Sequence, residues 1–368
     1  MTQTLPSLTT EAAALSVAGA GLRRYEMGSA LIGAGADATV VILKPGDNPA
    51  VSGVQDSTKV LLRGDAVPTL HSRFDFWEAL PLLLFARLDR GCLPLGTARC
   101  RGRSFAPADF DHAELELDQP LTREMLDAVR PVPAPGPVPA VDWVDHVESD
   151  PIRALKSFVL GWFPAEEAEP AGKASTVGEP DDFPEALAAF HRLARLRPAV
   201  HRFRNPVLKQ PRRASGALGS RLVFAVDGEG TRDWSIPWPP QKPGEVHPRV
   251  WLTEDPLSAD PETILVREPL SRFLLQYTLY EAMNAALYQA WTYCIPTARL
   301  APLWSMLRPV HLSPFLPAYT AEEFFVAPGL LTRVSSDDNE ATVAFAALHR
   351  AMLTPLLEHG FRWSRFDG

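Results

Sequence analysis

Apolar positions in the first 130 residues come in short runs. Aliphatic and β-branched side chains cluster at 30–32, 38–43 and 58–62, cut by Gly-Ala-Gly, Pro-Gly-Asp-Asn and Gly-Val-Gln-Asp. That pattern predicts strands separated by turns. Residues 74–88 predict either a strand pair or one short helix broken at Pro81, and 93–100 and 113–117 add strand-like alternation. Leu121, Met125 and Leu126 follow a helical spacing over 121–129, with Thr122 placed to cap it.

The pattern then stops. Residues 131–140 read PVPAPGPVPA, a stiff Pro-Ala segment that marks the clearest boundary in the chain. A helix is expected through 153–158, and 165–182 is small, polar and acidic, as a second linker would be. From Phe183 the periodicity becomes helical: Pro184 sits early, and Leu187, Phe190, Leu193 and Ala194 form one stripe. Strands are predicted at 221–226, 234–238 and 249–253, the last two carrying Trp234, Trp238 and Trp251. The strongest helix is predicted over 269–291, where Phe273, Leu274, Tyr277, Tyr280, Met283 and Leu287 recur at threes and fours. Residues 322–326, 330–334 and 342–345 form a late strand cluster, followed by a helix at 349–357. The expected fold is therefore α+β in two domains. A β-rich domain covers 1–130, a Pro/Ala-rich linker with a short helix covers 131–182, and a second domain covers 183–368.

Composition narrows the function. Of 368 residues, 46% are hydrophobic and 22% charged, so each half can bury a core. A net charge of -8 argues against a general polyanion binder, though not against a local basic face. Cys92, Cys100 and Cys294 are odd in number and form no Cys-x-x-Cys pair, which points to a reducing compartment without disulfides or a thiolate zinc site. Glu11 interrupts the first apolar run, and the stretch 80–86 is far shorter than the roughly 18–20 residues of a membrane span. A cytoplasmic protein with no membrane segment is expected.

The order of elements after Phe183 carries a resemblance. FPEALAAFHRLA from Phe183 is followed by RLVFAVDGEG from Arg221, DWSIPW from Asp233, PRVW from Pro248 and PLSRFLLQYTLYEA from Pro269. This resembles the SMI1/KNR4 family of the SUKH superfamily, over residues 183–368. The resemblance implies a twisted sheet flanked by helices and no enzymatic activity. Bacterial members are largely immunity proteins that bind toxins, and eukaryotic ones are regulatory scaffolds. The first domain, the Pro-rich loop at 238–243 and an insert after Trp291 depart from that pattern.

No catalytic, cofactor or metal centre is expected from the motifs. Gly33-Ala34-Gly35-Ala36-Asp37-Ala38 has glycines as a dinucleotide fingerprint does, but a strand rather than a helix follows it, so a tight turn is the better account. The nine histidines fall singly, without His-x-His or His-Glu-x-x-His spacing. Glu114, Glu116 and Asp118 alternate with Leu115 and Leu117, which lines one strand face with carboxylates; a solvated face explains them more simply than a cation or acid–base site. Cys100 lies between Arg99 and Arg101, where a buried strand thiol is the simpler reading than an activated one.

One feature stands out. Arg192, Arg195, Arg197, Arg202, Arg204, Lys209, Arg212, Arg213 and Arg221 follow one another without an intervening acid, and Asn205-Pro206 and Gln210-Pro211 make the stretch loop-like. In an acidic protein this is a local field suited to carboxylates or phosphates. The expected function is a non-catalytic protein-binding module, an immunity or scaffold protein that occludes a toxin-like partner. Its surface would be built from Arg202, Arg204, Arg212, Arg213 and an exposed Trp238. Two alternatives are a nucleic-acid-associated regulator using the arginines of 192–221, and an enzyme built on the 114–118 face between the domains.

Overall fold

The computed structural model describes residues 5–44, 53–64, 68–74, 80–104, 112–130, 134–165, 183–201, 205–216, 219–228, 230–239, 247–258, 260–315, 321–337 and 339–368. The protein is α+β. Its chain divides into two compact units, Met1–Ala134 and Pro135–Gly368.

In the first unit, α1 (Glu11–Ser16) precedes β1 (Arg23–Met27), β2 (Ala30–Ala34) and β3 (Thr39–Leu43). Then come β4 (Gly53–Val54), β5 (Lys59–Arg63), α2 (Pro68–His71) and β6 (Leu82–Leu88). The long β7 (Gly91–Ser104), β8 (His112–Leu117) and α3 (Arg123–Val129) complete it. The strands form one sheet in the order β1-β2-β3-β6-β7-β8-β5-β4, antiparallel except for β3 beside β6. All five residues of β3, TVVIL, are buried because the strand is covered on both faces. Val40 and Ile42 pack with Ala14 and Leu15 of α1, whereas Val41 and Leu43 join the larger core with Met27, Leu62 and Leu84. Thr122 caps α3 as its sequence predicts, its hydroxyl accepting from the Met125 N–H at 3.3 Å.

After a 3-10 turn at Asp142–His146, the first helix of the second unit is α4 (Pro151–Trp162), which lies within the stretch that reads as linker in the sequence. Asp150 caps it by accepting from Arg153 N at 3.0 Å, and Pro151 fills the first turn. Ala154, Leu155, Phe158, Val159 and Trp162 then fall on one face and enter the main core. Next come α5 (Glu185–Leu196), β9 (Val207–Gly216), β10 (Gly219–Val226), β11 (Arg232–Pro237), β12 (Arg249–Glu254) and β13 (Glu262–Pro269). These five strands make an antiparallel meander in the order β13-β12-β11-β10-β9. After α6 (Leu270–Ala285) the chain forms β14 (Tyr288–Pro296), the single turn α7 (Ala301–Trp304), β15 (Arg308–Val310) and β16 (Ala321–Ala327). With β17 (Leu330–Ser336), β18 (Glu340–Ala347) and β19 (Arg365–Phe366) they build a six-stranded sheet in the order β15-β16-β17-β18-β14-β19.

Helix α6 organises this unit. It touches α4, α5 and strands of both sheets, and its apolar positions run around the whole cylinder, as expected of a helix buried on all sides. It ends at Ala286, which turns to extended geometry, so residues 288–291 become strand where the spacing of Leu287 and Trp291 predicts helix. The helix expected at 349–357 is a pair of 3-10 turns, consistent with Pro355 removing a backbone donor.

Candidate functional site

The described part of the arginine-rich stretch is mostly regular structure rather than loop. It comprises the end of α5, a 3-10 turn at Pro198–His201, the edge strand β9 and the start of β10, with β9 and β10 paired from Arg212↔Val223 to Gly216↔Gly219. Pro211 is compatible with this because β9 is the outermost strand, where a missing N–H leaves no ladder bond unmade. Arg202 and Arg204 lie outside the described residues.

Strand geometry separates the remaining arginines. Consecutive strand residues point to opposite faces. Arg213 stands opposite Leu222, a core residue, and Arg212 stands opposite Val223 on the other face. Both are exposed, as is Lys209, and none of the three makes a hydrogen bond or ion pair among the described residues. Neighbouring arginines are committed elsewhere. Arg192 pairs with Glu185 at 2.6 Å, Arg197 donates to the Phe163 carbonyl at 2.8 Å, and Arg221 reaches across the sheet to the Thr253 hydroxyl at 2.6 Å. Among the described residues of β9 and β10, the exposed cations without such a contact are Lys209, Arg212 and Arg213, all on β9.

Trp238 is corrected outright. It is 7% exposed, belongs to the main core and meets Phe183 edge-on at 6.4 Å between centroids. The Pro-rich context suggests a loop tip, but the alternation Trp234, Ile236, Trp238 continues along the buried side of β11 and past its end.

One polar cluster anchors the entry to β9, and a second lies on β10 to β12 beside it. At its start, Asn205 donates through its backbone and side-chain nitrogens to the buried Glu281 carboxylate, and its carbonyl accepts from Tyr277 Oη at 2.8 Å. Its side-chain oxygen accepts from Gly228 N at 3.1 Å. Burial and the Glu281 charge push the Tyr277 phenol well above its ordinary pKa, so it stays a donor. Behind β9, Asp233, Ser235 and Thr253 are buried on the face away from α6, with Arg221 laid across them. Sequence reading misses this layer, although the alternation in Asp233-Trp234-Ser235-Ile236 carries its signal.

Burial pushes the Asp233 carboxyl above its ordinary range, against the pull of Arg221, Thr253 and Arg212. A carboxyl raised in this way favours the fold while protonated. Its contribution is full below the unfolded carboxylate pKa of about 3.9 and is lost as pH rises through the higher folded value. Asp233→Asn is therefore expected to raise stability at neutral pH and leave it unchanged at about pH 3, below the unfolded pKa. Denaturant melts across pH check this, and a variant less stable at neutral pH would contradict it.

In the first unit the carboxylate-lined strand face is a cross-strand ion ladder. Asp118 accepts from Arg99 at 3.0 Å and Thr97 at 2.7 Å, Glu116 pairs with Arg101, and Glu114 acts electrostatically on Arg63. Each acid thus has a basic neighbour across the sheet, as stable strand faces require. Cys100 points the other way, into the core, with its thiol 3.4 Å from the Gly102 carbonyl. The glycine-rich turn spends its amides on its own chain: Ala36 N donates to the Ala20 carbonyl at 2.9 Å and Asp37 N to the Ala18 carbonyl at 2.9 Å. A Cβ on Gly35 would lie 2.1 Å from that Ala18 oxygen, so the glycine serves close backbone approach rather than a pyrophosphate.

Among the described residues no three His, Cys, Asp or Glu side chains gather as metal ligands would, and no helix is long and apolar enough to cross a membrane. A cleft lined by Pro139, Trp143, Phe158, Trp162, Val326 and Leu330 is apolar and has room for about one water. No family model, no curated protein and no solved structure matches the chain.

Proposed function

We propose that this chain is a non-catalytic protein-binding module whose working surface is the basic edge strand β9. In this reading it occludes or scaffolds an acidic protein partner, as the resemblance to the SMI1/KNR4 family implies for residues 183–368. The observation that carries it is the contrast within one arginine-rich stretch. Arg192 is held by Glu185 at the surface and Arg197 and Arg221 by acceptors within the fold, while Lys209, Arg212 and Arg213 stand exposed on an edge strand with no hydrogen bond or ion pair among the described residues. Exposed cations on a preorganised strand attract carboxylates without a folding cost at the moment of binding. A net charge of -8 gives the chain no general attraction for polyanions, so three local cations suit a short acidic protein segment better than a long phosphate backbone.

The test is affinity capture from the native host with the wild-type chain and the Arg212→Glu/Arg213→Glu variant. Both substitutions fall on exposed positions, so the fold is expected to persist. Charge-assisted hydrogen bonds of about 1.5–3 kcal/mol each imply at least a roughly tenfold loss of affinity. Equal capture by both chains would remove the reading.

A further inference from the structure

We propose that β9 takes its partner by strand addition: an extended segment bearing two consecutive carboxylates pairs its backbone with residues 212–216. This rests on the protein-binding reading above and adds the partner's conformation and chemistry.

Three observations support it. First, β9 is the end strand of its sheet, and among the described residues β10 is the only strand paired with it. Among the described residues, the alternate backbone N–H and C=O groups along its outer side have no strand partner, as on any sheet edge. Second, the two halves of β9 differ. Over 207–211 the pairing with β10 slips between Val223 and Ala225, and Pro211 has no N–H; both features protect an edge against pairing. Over 212–216 the register with β10 is continuous, every residue keeps its N–H, and Arg212, Arg213 and Ser215 are exposed. Only this half can extend a ladder. Third, Arg212 and Arg213 send one guanidinium to each face of the sheet.

Those positions specify the occupant. Directly opposed residues on paired strands lie about 4.5–5.5 Å apart, within reach of a guanidinium–carboxylate fork. Neighbouring acids on an added strand would likewise point to opposite faces, one meeting Arg212 and the next Arg213. An isolated acid satisfies one arginine, and a helical acidic segment presents its neighbours 100° apart rather than on opposite sides. The segment that fits is a Glu-Glu or Asp-Glu pair in a β-branched context. Nucleic acid offers charge but no amide ladder.

The probe is a fluorescent peptide carrying a Glu-Glu pair between Val and Thr residues, titrated into the full chain. Two further peptides carry the same sequence with backbone N-methyl groups on one or the other alternate set of nitrogens. The parent peptide is expected to bind, and Arg212→Glu/Arg213→Glu to weaken it at least about tenfold. One N-methyl set should abolish binding and the other should retain it. Equal binding of both N-methylated peptides would overturn strand addition while leaving charge-based capture standing. No binding of the parent peptide, undiminished binding to the charge-reversed chain, or preference for a single-stranded oligonucleotide would each overturn the inference. The native capture experiment then reports separately on the protein-binding reading.

Discussion

Phe273→Ala is expected to destabilise the second unit by about 3–5 kcal/mol, the largest stability effect in the chain. Phe273 is fully buried on α6, and four aromatic rings surround it. Phe224 of β10 meets it edge-on at 5.8 Å, Trp234 of β11 lies at 6.3 Å, Tyr277 at 5.5 Å, and Phe315 stacks on it at 5.8 Å. Removing the ring takes away its buried apolar area and leaves a cavity. It also ends several aromatic contacts, each worth about 0.5–1.5 kcal/mol beyond area alone. Neighbours on a sheet, a helix and a connecting segment cannot all collapse into that cavity together. Phe273→Leu keeps most of the volume and should cost less than about 1.5 kcal/mol. Urea unfolding followed by tryptophan fluorescence measures both. A change under about 1 kcal/mol for the alanine variant would show that this cluster is not the centre of the unit.

Glu268→Ala carries the second large effect, about 3 kcal/mol. Glu268 is 3% exposed at the end of β13. Its carboxylate accepts from Ser313 N at 2.6 Å and meets Arg272 Nε at 2.8 Å, while Arg272 Nη2 donates to the His311 carbonyl at 2.6 Å. One buried acid therefore binds the 311–313 segment to the start of α6. That segment leads to Phe315, which stacks against Tyr280 and Phe273. Truncation leaves a buried N–H without its acceptor and a partly buried guanidinium without its counter-ion, the case in which breaking a pair costs most. The lower end of the usual range applies because the Arg272 side chain is a quarter exposed. The double variant with Arg272→Ala should recover part of the loss, since both halves of the pair are then absent. Thermal unfolding reads this as a fall of roughly 6–12 °C, at about 2–4 °C per kcal/mol for a unit this large. A double variant no more stable than Glu268→Ala would show that the pair does not act as a unit.

Much of the fold is legible in the sequence because apolar periodicity reports burial. The runs at 38–43, 58–62, 221–226 and 330–334 each fall on a strand whose buried side chains produced the signal. What stays hidden is what periodicity does not report. Strand β9 reads VLKQPRRASG, with Val207 at its start in the core and hardly an apolar side chain after Leu208, since the exposed part of an edge strand needs none. Residues 288–291 lie in a strand although Leu287 and Trp291 are spaced as on a helix face, because pairing with β18 overrides that local spacing. Trp238 looks exposed beside prolines, yet its ring continues the core side of β11. Tertiary packing set these outcomes. The site follows the same logic: Arg212 and Arg213 are visible as charge, but only the strand shows that they face opposite ways. The carboxylates at 114–118 are equally visible, and only the register with β5 and β7 reveals the arginines that face them.

The measurement closest to the central claim is the affinity of the captured partner for wild-type and Arg212→Glu/Arg213→Glu chains, at low and high salt. The account predicts tight binding to the wild type that weakens as salt screens the exposed charges, and at least a roughly tenfold loss on reversal. Binding that is indifferent to salt and to both substitutions would contradict it, because the partner would then be held by some other surface.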